Sequence, residues 1–427
     1  FGSSVFRMLD PPWPYRRWLV LACFLACAGS FPLQSASDHA PTLFVAMCFG
    51  QEYFHTYCMP LLLSWYSVYG ANGDRHSWVV FVAHVPEEVL SLARGALPQL
   101  QFETWQVSGT ASQLFRDVEG PRENCTVTNG SWYCESTPEV EENRGLKTMF
   151  NNVAFLMQVS KLLLGRREQG MDEEYCVLVD SDALFVRPLD PALGKTSTDP
   201  GWDVLFTYYD REFVPPWAEA AEDVCLSPSR KHVRINSGVV ALYVAHQHLD
   251  PVRSFLHRWG DVTVTLLTSA FQNESSASEL LEEFRGPDQA ALALLIGGGA
   301  EGIAERFGAD ACSVCAGVVV VDAAPKAGEK QDVRVKGFPA RMLNQAESLP
   351  DGQLPEEALI MHLKGLWWRS VLPSTEPPAS RTSTRNILWN WETWAWWVAL
   401  YQQWQQVSGL PLPTSPQGRQ RRVLQEA

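Results

Sequence analysis

The sequence is short of basic side chains: 34 Lys and Arg stand against 48 Asp and Glu, which gives a formal net charge of −14. Binding to nucleic-acid phosphates needs clustered Lys and Arg, and only residues 419–422 are locally basic. This balance argues against a nucleic-acid-binding protein. The loop Gly-x-x-x-x-Gly-Lys-Ser/Thr is also absent, which argues against the ATP chemistry of that loop.

The apolar stretch near the N-terminus, residues 18–28, is shorter than the roughly 20 residues that cross a bilayer. Arg16 and Arg17 precede it, and it ends in Ala-Cys-Ala. A basic flank, an apolar core and a small-residue end are typical of a cleaved secretory signal peptide. The alternative is a short signal-anchor, which would associate the chain with a membrane. Residues 1–41 are therefore predicted to be a signal peptide or signal-anchor and a linker.

Two further features favour the lumen of the secretory pathway. The first is a set of three Asn-x-Ser/Thr sequons, at Asn124, Asn129 and Asn273, which are acceptors for N-glycosylation. The second is the cysteine count beyond the apolar stretch, an even set suited to disulfides in an oxidising compartment: Cys48, Cys58, Cys125, Cys134, Cys176, Cys225, Cys312 and Cys315.

Two cysteine pairs are close in sequence. Cys125 and Cys134 flank a turn rich in Gly and Asn, so they are predicted to staple a surface hairpin. Cys312 and Cys315 have the spacing of a zinc half-site, but zinc needs a second ligand pair. A local disulfide is the prediction for this second pair.

Residues 38–107 alternate between short apolar strands and amphipathic helices. This pattern predicts a parallel sheet with helices on both faces, an architecture that does not itself name a function. Residues 108–145 lose the apolar periodicity and are predicted to be a surface insertion. The predicted strands are 43–48, 78–83 and 101–107, and the predicted helices are 53–69 and 86–97.

Two carboxylates follow the next predicted strand, residues 175–179. Asp180 and Asp182 stand where this apolar run stops. Ligands of open α/β sheets bind beyond the carboxyl ends of the strands, and paired carboxylates can share one hard divalent cation. The alternative reading is a turn that Asp-Ser-Asp merely caps.

Three later stretches also place polar groups at the ends of predicted elements. Asn236-Ser237-Gly238 opens a buried strand, Asp288-Gln289 opens an apolar helix, and His362 ends a short apolar run. Each has a structural explanation. The first could be a polar turn, Asp288 is favourable at a helix start, and a lone His is more often structural than a ligand.

Taken in order, these motifs resemble nucleotide-sugar-dependent glycosyltransferases of the GT-A fold. The late stretch from His362 to Gly365 resembles the His-x-x-Gly-x-x-Lys-Pro-Trp motif of the glycogenin and bacterial galactosyltransferase family. Trp368 and Arg369 stand where Lys-Pro would be expected. The string Asp-Ser-Asp-Ala-Leu-Phe is also similar to the plant and fungal xylosyl- and galactosyltransferase family, so the subfamily stays open.

The resemblance implies an α/β fold of the GT-A type, with a mixed, mostly parallel central sheet flanked by helices, over residues 42–373. It implies a Mn²⁺ or Mg²⁺ site at Asp180, Asp182 and His362. The imidazole ligand favours Mn²⁺ over Mg²⁺. The resemblance places the transferred sugar beside Asp288, Gln289 and Asn236. The implied donor-binding residues are Asp180, Ser181, Asp182, Ser237, Gly238, Lys161, Lys364, Gly365 and Arg369.

The implied activity is transfer of a hexose or pentose from a nucleotide-sugar, a UDP-sugar, to a glycan, protein or lipid in the Golgi or ER lumen, by a secreted or single-pass anchored protein. Two other classes are a catalytically inactive GT-A-like glycan-binding protein and a metal-dependent phosphohydrolase. The latter usually needs more ligands around two metals. The C-terminal part is predicted to be a Trp-rich helical extension (374–407) and a disordered tail (408–427).

Overall fold

The computed structural model describes most of one folded unit of the chain. All described residues lie in the larger of two units, His39–Ala427. The apolar stretch 18–28, the three sequon asparagines, the Cys312 and Cys315 pair, and the tail beyond residue 409 lie outside the described residues. These are 40–70, 76–83, 85–104, 125–128, 131–134, 144–193, 200–208, 235–271, 275–284, 287–297, 318–323, 331–343, 357–362 and 391–409.

Eight strands form the central sheet: β1 (Thr42–Phe49), β2 (His76–Ala83), β3 (Leu100–Thr104), β6 (Tyr175–Val179), β8 (Val204–Tyr208), β9 (Ile235–Tyr243), β10 (Val318–Asp322) and β11 (Asp332–Pro339). Their order across the sheet is β10-β11-β8-β9-β6-β1-β2-β3. Only β9 and β10 run antiparallel to the other six strands. The prediction of a mixed, mostly parallel sheet is confirmed.

Two small sheets accompany the central one. Strand β7 (Ala183–Phe185) pairs with β12 (Ile360–His362) in antiparallel fashion. Strand β4 (Cys125–Thr128) and β5 (Ser131–Cys134) form the predicted hairpin and place Cys125 opposite Cys134. The bond between these two cysteines stays a prediction.

Helices cover both faces of the central sheet, as predicted. Helix α1 has three consecutive parts: an α-helical turn (Gln51–Tyr53), a π-helical segment (Phe54–Cys58) and a longer α-helical part (Met59–Tyr69). The others are α2 (Glu87–Ala96), α3 (Arg144–Glu168), α4 (Asp190–Leu193), α5 (Leu249–Phe271), α6 (Ser275–Phe284), α7 (Pro287–Gly297), α8 (Ala340–Leu343) and α9 (Trp391–Ser408).

The core has two halves, one on each face of the sheet. Along β1, Phe44 packs into the half that contains α1, α2 and α9, whereas Leu43 and Val45 pack into the half that contains α3, α5 and α7. Because both faces are buried, the central strands are apolar throughout, as expected for a sheet sandwiched between helices.

The disulfide prediction needs one correction. Cys48, in β1, is bonded to Cys58, in the π-helical segment of α1. Cys176 instead lies in the central strand β6 as a buried free thiol, where burial raises its pKa. The even set of cysteines therefore cannot pair completely, because Cys176 serves as a small core residue. Among the described residues, no helix is long and apolar enough to cross a bilayer.

Candidate metal centre

The two carboxylates of the Asp-Ser-Asp stretch lie in a tight turn between β6 and β7. The Asp180 backbone N–H donates to the Gly238 carbonyl (2.8 Å), and the Asp180 carbonyl accepts from the Ala183 N–H (3.1 Å). These two bonds fix the turn at the point where β6 leaves the core. The Asp180 side chain is 52% exposed and that of Asp182 is 25% exposed, so both carboxylates are accessible.

His362 reaches the same turn from the distant end of the chain. It ends β12 and lies opposite Ala183 of β7, with only 4% of its side chain exposed. Its Nε2 atom is 2.9 Å from an Asp182 oxygen and 3.4 Å from an Asp180 oxygen. One ligand atom from each of the three residues lies within 4.8 Å of the other two.

This trio has the chemistry of a divalent cation site. Carboxylates suit Mg²⁺ and Mn²⁺, and imidazole shifts the preference towards transition metals. Within the residues that the structure describes, it is the one group of three or more His, Cys, Asp or Glu side chains that could share an ion. The residues present therefore fit the metal that the motifs predict.

Gly238 provides the space in which the trio meets. A Cβ atom at this position would lie 2.5 Å from His362 Cε1, 2.6 Å from His362 Nδ1 and 3.0 Å from an Asp180 oxygen. Contacts below 3.0 Å require one group to move, so a larger residue would displace the imidazole. The group that approaches Gly238 is the His362 ring.

Asn236 shapes the strand that carries Gly238. Its side-chain oxygen accepts a hydrogen bond from the Gly238 N–H (2.9 Å), and its carbonyl accepts from the Thr207 hydroxyl (2.6 Å). The side chain is buried, and the pairing of β8 with β9 shifts register here. Asn236 thus acts on the site through Gly238, and its predicted contact with a sugar stays a prediction.

Ser237 links the centre to the start of α7. Its hydroxyl donates to an Asp288 carboxylate oxygen at 2.6 Å. The Asp288 carbonyl in turn accepts from the Trp259 indole N–H of α5 (2.8 Å). Asp288 is therefore held beside the Asn-Ser-Gly stretch, and its contact with the transferred sugar stays a prediction. Gln289 follows it in the first turn of α7 and is half-buried.

Tyr53 is a site residue that the sequence analysis missed. The Ser181 hydroxyl, between the two carboxylates, donates to the Tyr53 oxygen at 3.1 Å. Burial, with a smaller contribution from the Asp182 charge, raises the pKa of Tyr53 well above its usual value. A signal was present, because Tyr53 follows β1, and β1 and β6 are parallel neighbours that end at the same edge of the sheet.

The other predicted donor residues lie apart from this group or outside the description. Lys161 is exposed on α3, and its contact with the donor stays a prediction. Lys364, Gly365 and Arg369 lie outside the described residues. The structure therefore brings together Asp180, Ser181, Asp182, Ser237, Gly238, Asp288 and His362.

Comparisons with known proteins give structural similarities only. No family model and no curated protein sequence matches the chain. It is similar to the galactosyltransferase LgtC in complex with donor and acceptor sugar analogs, with 12% identity, a TM-score of 0.36, and 88% of this chain and 97% of that chain covered. For mouse xyloside xylosyltransferase 1, identity is 11% and the TM-score is 0.35, over 75% of this chain and 97% of that one.

A third similar structure is the glycosyltransferase GlyE of Streptococcus pneumoniae. It has 13% identity and a TM-score of 0.33, and the match covers 88% of this chain and 66% of that one. These three proteins are glycosyltransferases, the class that the motifs resemble. With TM-scores of 0.33–0.36 and identities of 11–13%, these similarities carry no functional argument for this chain.

Proposed function

We propose that the protein is a metal-dependent glycosyltransferase that transfers a hexose or pentose from a UDP-sugar to a hydroxyl group of a glycan, protein or lipid. The observation that carries the proposal is the convergence of Asp180, Asp182 and His362 above Gly238, at the carboxyl end of the central strands. This edge is where α/β sheets bind their ligands.

The metal site would be formed by Asp180, Asp182 and His362, with Mn²⁺ as the preferred ion. A bound cation supplies electrostatic stabilisation of the charge that develops on a leaving diphosphate. The protein itself pre-arranges the ligands: the Asp180 to Ala183 turn fixes the carboxylates, and the space above Gly238 admits the imidazole. Little rearrangement is then needed at the moment of binding.

The sugar of the donor is proposed to lie beside Asp288 and Gln289. The hydrogen bond from Ser237 to one Asp288 oxygen orients this carboxylate, and the second oxygen is proposed to accept from a sugar hydroxyl. Carboxylate acceptors form strong charge-assisted hydrogen bonds with hydroxyl groups. Asp288 and Gln289 would therefore position the sugar over the acceptor.

We further propose that the protein works in the oxidising lumen of the secretory pathway. The Cys48 to Cys58 disulfide supports this location, because disulfides persist in oxidising compartments and are rare in the cytosol. Membrane association through the N-terminal segment is part of the same proposal and is tested by fractionation of cells that express the full chain.

Calorimetry of UDP and a panel of nucleotide-sugars, with Mn²⁺ or with a chelator, tests the donor site. UDP should bind only when the metal is present. Loss of a group that merely orients a metal ligand costs roughly 10- to 100-fold in metal affinity, so Asp182→Ala, which removes a ligand itself, should weaken UDP binding by more than this. The matched control is Asp172→Ala, an exposed carboxylate before β6 at the opposite edge of the sheet. Absence of nucleotide binding by the folded wild-type chain would sink the proposal and favour a glycan-binding protein.

A further inference from the structure

Helix α9 packs along the site-bearing helix α1, and two hydrogen bonds join it to one short stretch of that helix. The Trp404 indole N–H donates to His55 Nδ1 at 2.7 Å, and the two rings stack with centroids 5.8 Å apart at 27°. The Trp397 indole N–H donates to the Thr56 carbonyl at 2.9 Å. Both indoles are almost fully buried, so α9 is an integral part of this face of the fold.

The stretch that accepts both hydrogen bonds is the π-helical segment, Phe54–Cys58. Its geometry is marked by the Met59 N–H, which bonds to the Phe54 carbonyl five residues back. Such π-helical turns are rare and often lie at functional sites. The segment is held from the other side as well, because Cys58 is bonded to Cys48 at the end of β1.

The π-helical segment directly follows Tyr53, the partner of Ser181. A continuous series of contacts therefore leads from Trp404 through His55 and the helix backbone to Tyr53. From Tyr53 it continues to Ser181, between the two proposed metal ligands. Displacement of the π-helical segment would move the Tyr53 hydroxyl and release Ser181.

We propose that α9 is a positioning element of the nucleotide-sugar site, and that proton uptake by His55 releases it by breaking the hydrogen bond from Trp404. This inference rests on the proposed function, because the site that it positions is the proposed donor site. Trp404 and His55 are positioning residues. They act on the site through Tyr53.

The chemistry of the contact explains why a proton would break it. Indole N–H is a donor only, so His55 Nδ1 must be an acceptor without a proton. The proton of the neutral ring is then on Nε2. The Gln51 amide nitrogen lies 3.4 Å from this atom, so this tautomer requires the Gln51 amide to turn and present its oxygen to the Nε2–H. A second proton on Nδ1 would place two N–H groups against each other.

The surroundings of His55 favour its neutral form. Burial lowers its pKa, and burial is the one cause of the shift. Nearby titratable groups are Tyr53 and Tyr57 on α1 and Tyr401 on α9, whose residues 396–409 carry no charge. Helix α2 also packs against α9, and its charged groups are Glu87, Glu88 and Arg94, of which Arg94 pairs with Glu87. The charged group on β3 is Glu103.

The test uses the full chain and two variants that separate the hydrogen bond from the proton. Trp404→Phe removes the N–H donor and keeps an aromatic ring. His55→Asn keeps an oxygen acceptor near the Nδ1 position and removes the titration. Trp396→Phe, an indole on the same helix that is only partly buried, is the matched control.

Two quantities are measured near pH 7.5 and near pH 4.5, and the lower pH lies well below the usual histidine pKa because burial lowers the pKa of His55. The first is the hydrogen-exchange protection of residues 54–58, measured without metal or nucleotide and corrected for the intrinsic exchange rate at each pH. The second is the affinity for UDP in the presence of Mn²⁺. In the wild type, acid should lower protection about 5-fold, the contribution of an ordinary hydrogen bond. Trp404→Phe should have the lowered protection at both pH values and should also bind UDP more weakly. His55→Asn should keep the protection of the wild type at neutral pH at both pH values.

The outcomes separate this inference from the proposed function. If the wild type binds UDP and Trp404→Phe keeps wild-type protection and affinity, the positioning role of α9 is overturned. A pH dependence of protection that persists in His55→Asn overturns the role of the proton. If protection changes as expected but the wild type never binds UDP with Mn²⁺, the proposed function fails while the proton-sensitive contact stands.

Discussion

Two clusters that combine aspartate with histidine lie at opposite edges of the same sheet. At the carboxyl edge, Asp180 and Asp182 meet His362. At the amino edge, Asp203 bonds to His248 Nδ1 (2.8 Å) and to the guanidinium of Arg334 (2.9 Å). The residue types are similar, but the balance of charge within each trio differs.

With neutral imidazoles, the first trio carries two negative charges and the second carries none. In the second, burial alone would raise the pKa of Asp203, but hydrogen bonds from Arg334 and His248 outweigh it and lower the pKa. The Asp203 side chain is only 5% exposed, whereas Asp180 is half-exposed. A buried acid with its own cation is a structural link, and an exposed acidic pair with an imidazole is suited to an added cation.

Arg334→Met should have the largest effect on stability, since it leaves the buried Asp203 carboxylate without its cation. We expect a loss of about 3 kcal/mol in the free energy of unfolding, measured by urea denaturation. The affinity for Mn²⁺ should not change, because the two clusters lie at opposite edges.

Arg94→Met is the matched control for this variant. Arg94 pairs with Glu87, whose side chain is 67% exposed, and exposed pairs contribute less than about 1 kcal/mol. Equal losses in the two variants would contradict a structural role for Arg334, and a loss of Mn²⁺ binding in Arg334→Met would remove the division between the clusters.

Gly238→Ala tests the metal side of the comparison. The added methyl group would overlap the His362 ring, so the imidazole must move away from Asp180 and Asp182. We expect a loss of about 2 kcal/mol in stability from overpacking and at least a roughly tenfold loss in Mn²⁺ affinity, measured by calorimetry.

Gly95→Ala, in α2, provides the control because a Cβ there meets no atom within 4 Å. An alanine in the last turn of this helix should stabilise the protein by less than about 1 kcal/mol and leave metal binding unchanged. Wild-type Mn²⁺ affinity in Gly238→Ala would show that His362 is not held by this close contact.

The pH dependence of stability should distinguish Arg334→Met from the wild type. In the wild type the pKa of folded Asp203 is below its usual value, so its stabilisation is present above about pH 3.8 and is lost as pH falls further. Without Arg334, burial should raise this pKa above the unfolded value. The variant then regains stability as pH falls from neutral towards 4.

The deficit of Arg334→Met relative to the wild type should therefore shrink on acidification, by about 1 to 2 kcal/mol. Urea denaturation curves of both proteins at several pH values measure it. A deficit that stays constant between neutral pH and pH 4 would show that Asp203 does not titrate in the variant.

Sequence patterns predicted much of the fold because they depend on neighbours in the chain. Strand β6 was predicted at 175–179 and found at Tyr175–Val179, since two Asp residues end its apolar run. The same local signal placed Asp180 and Asp182 at a strand end. His362 was predicted as a ligand from the resemblance of its His-x-x-Gly stretch to a family motif, and the structure brings it to the same turn.

Other features depend on contacts between distant residues and left no local pattern. The Ser181 to Tyr53 bond joins residues 128 positions apart, and the Trp404 to His55 bond joins residues 349 apart. The π-helical segment of α1 keeps the apolar spacing of an ordinary helix, so its different hydrogen bonding was not predicted. The count of cysteines likewise could not show that Cys176 points into the core.

Tyr53→Phe should have the smallest effect of these changes, since it removes one neutral hydrogen bond and keeps the ring, which packs 4.6 Å from the Tyr57 ring. The nearly buried Ser181 hydroxyl would lose its acceptor, so we expect a loss of about 1 kcal/mol in stability and roughly 5-fold in UDP affinity with Mn²⁺. Calorimetry and urea denaturation measure both, with Tyr66→Phe, an exposed tyrosine on the same helix, as the control. Because this hydrogen bond joins two neutral groups, the decrease in stability in Tyr53→Phe should not depend on salt. The decrease in Arg94→Met should become smaller with added salt, because salt screens the exposed ion pair. If Tyr53→Phe weakened Mn²⁺ binding as much as Gly238→Ala does, the orientation of the Asp-Ser-Asp turn would matter as much to the metal centre as the space above Gly238.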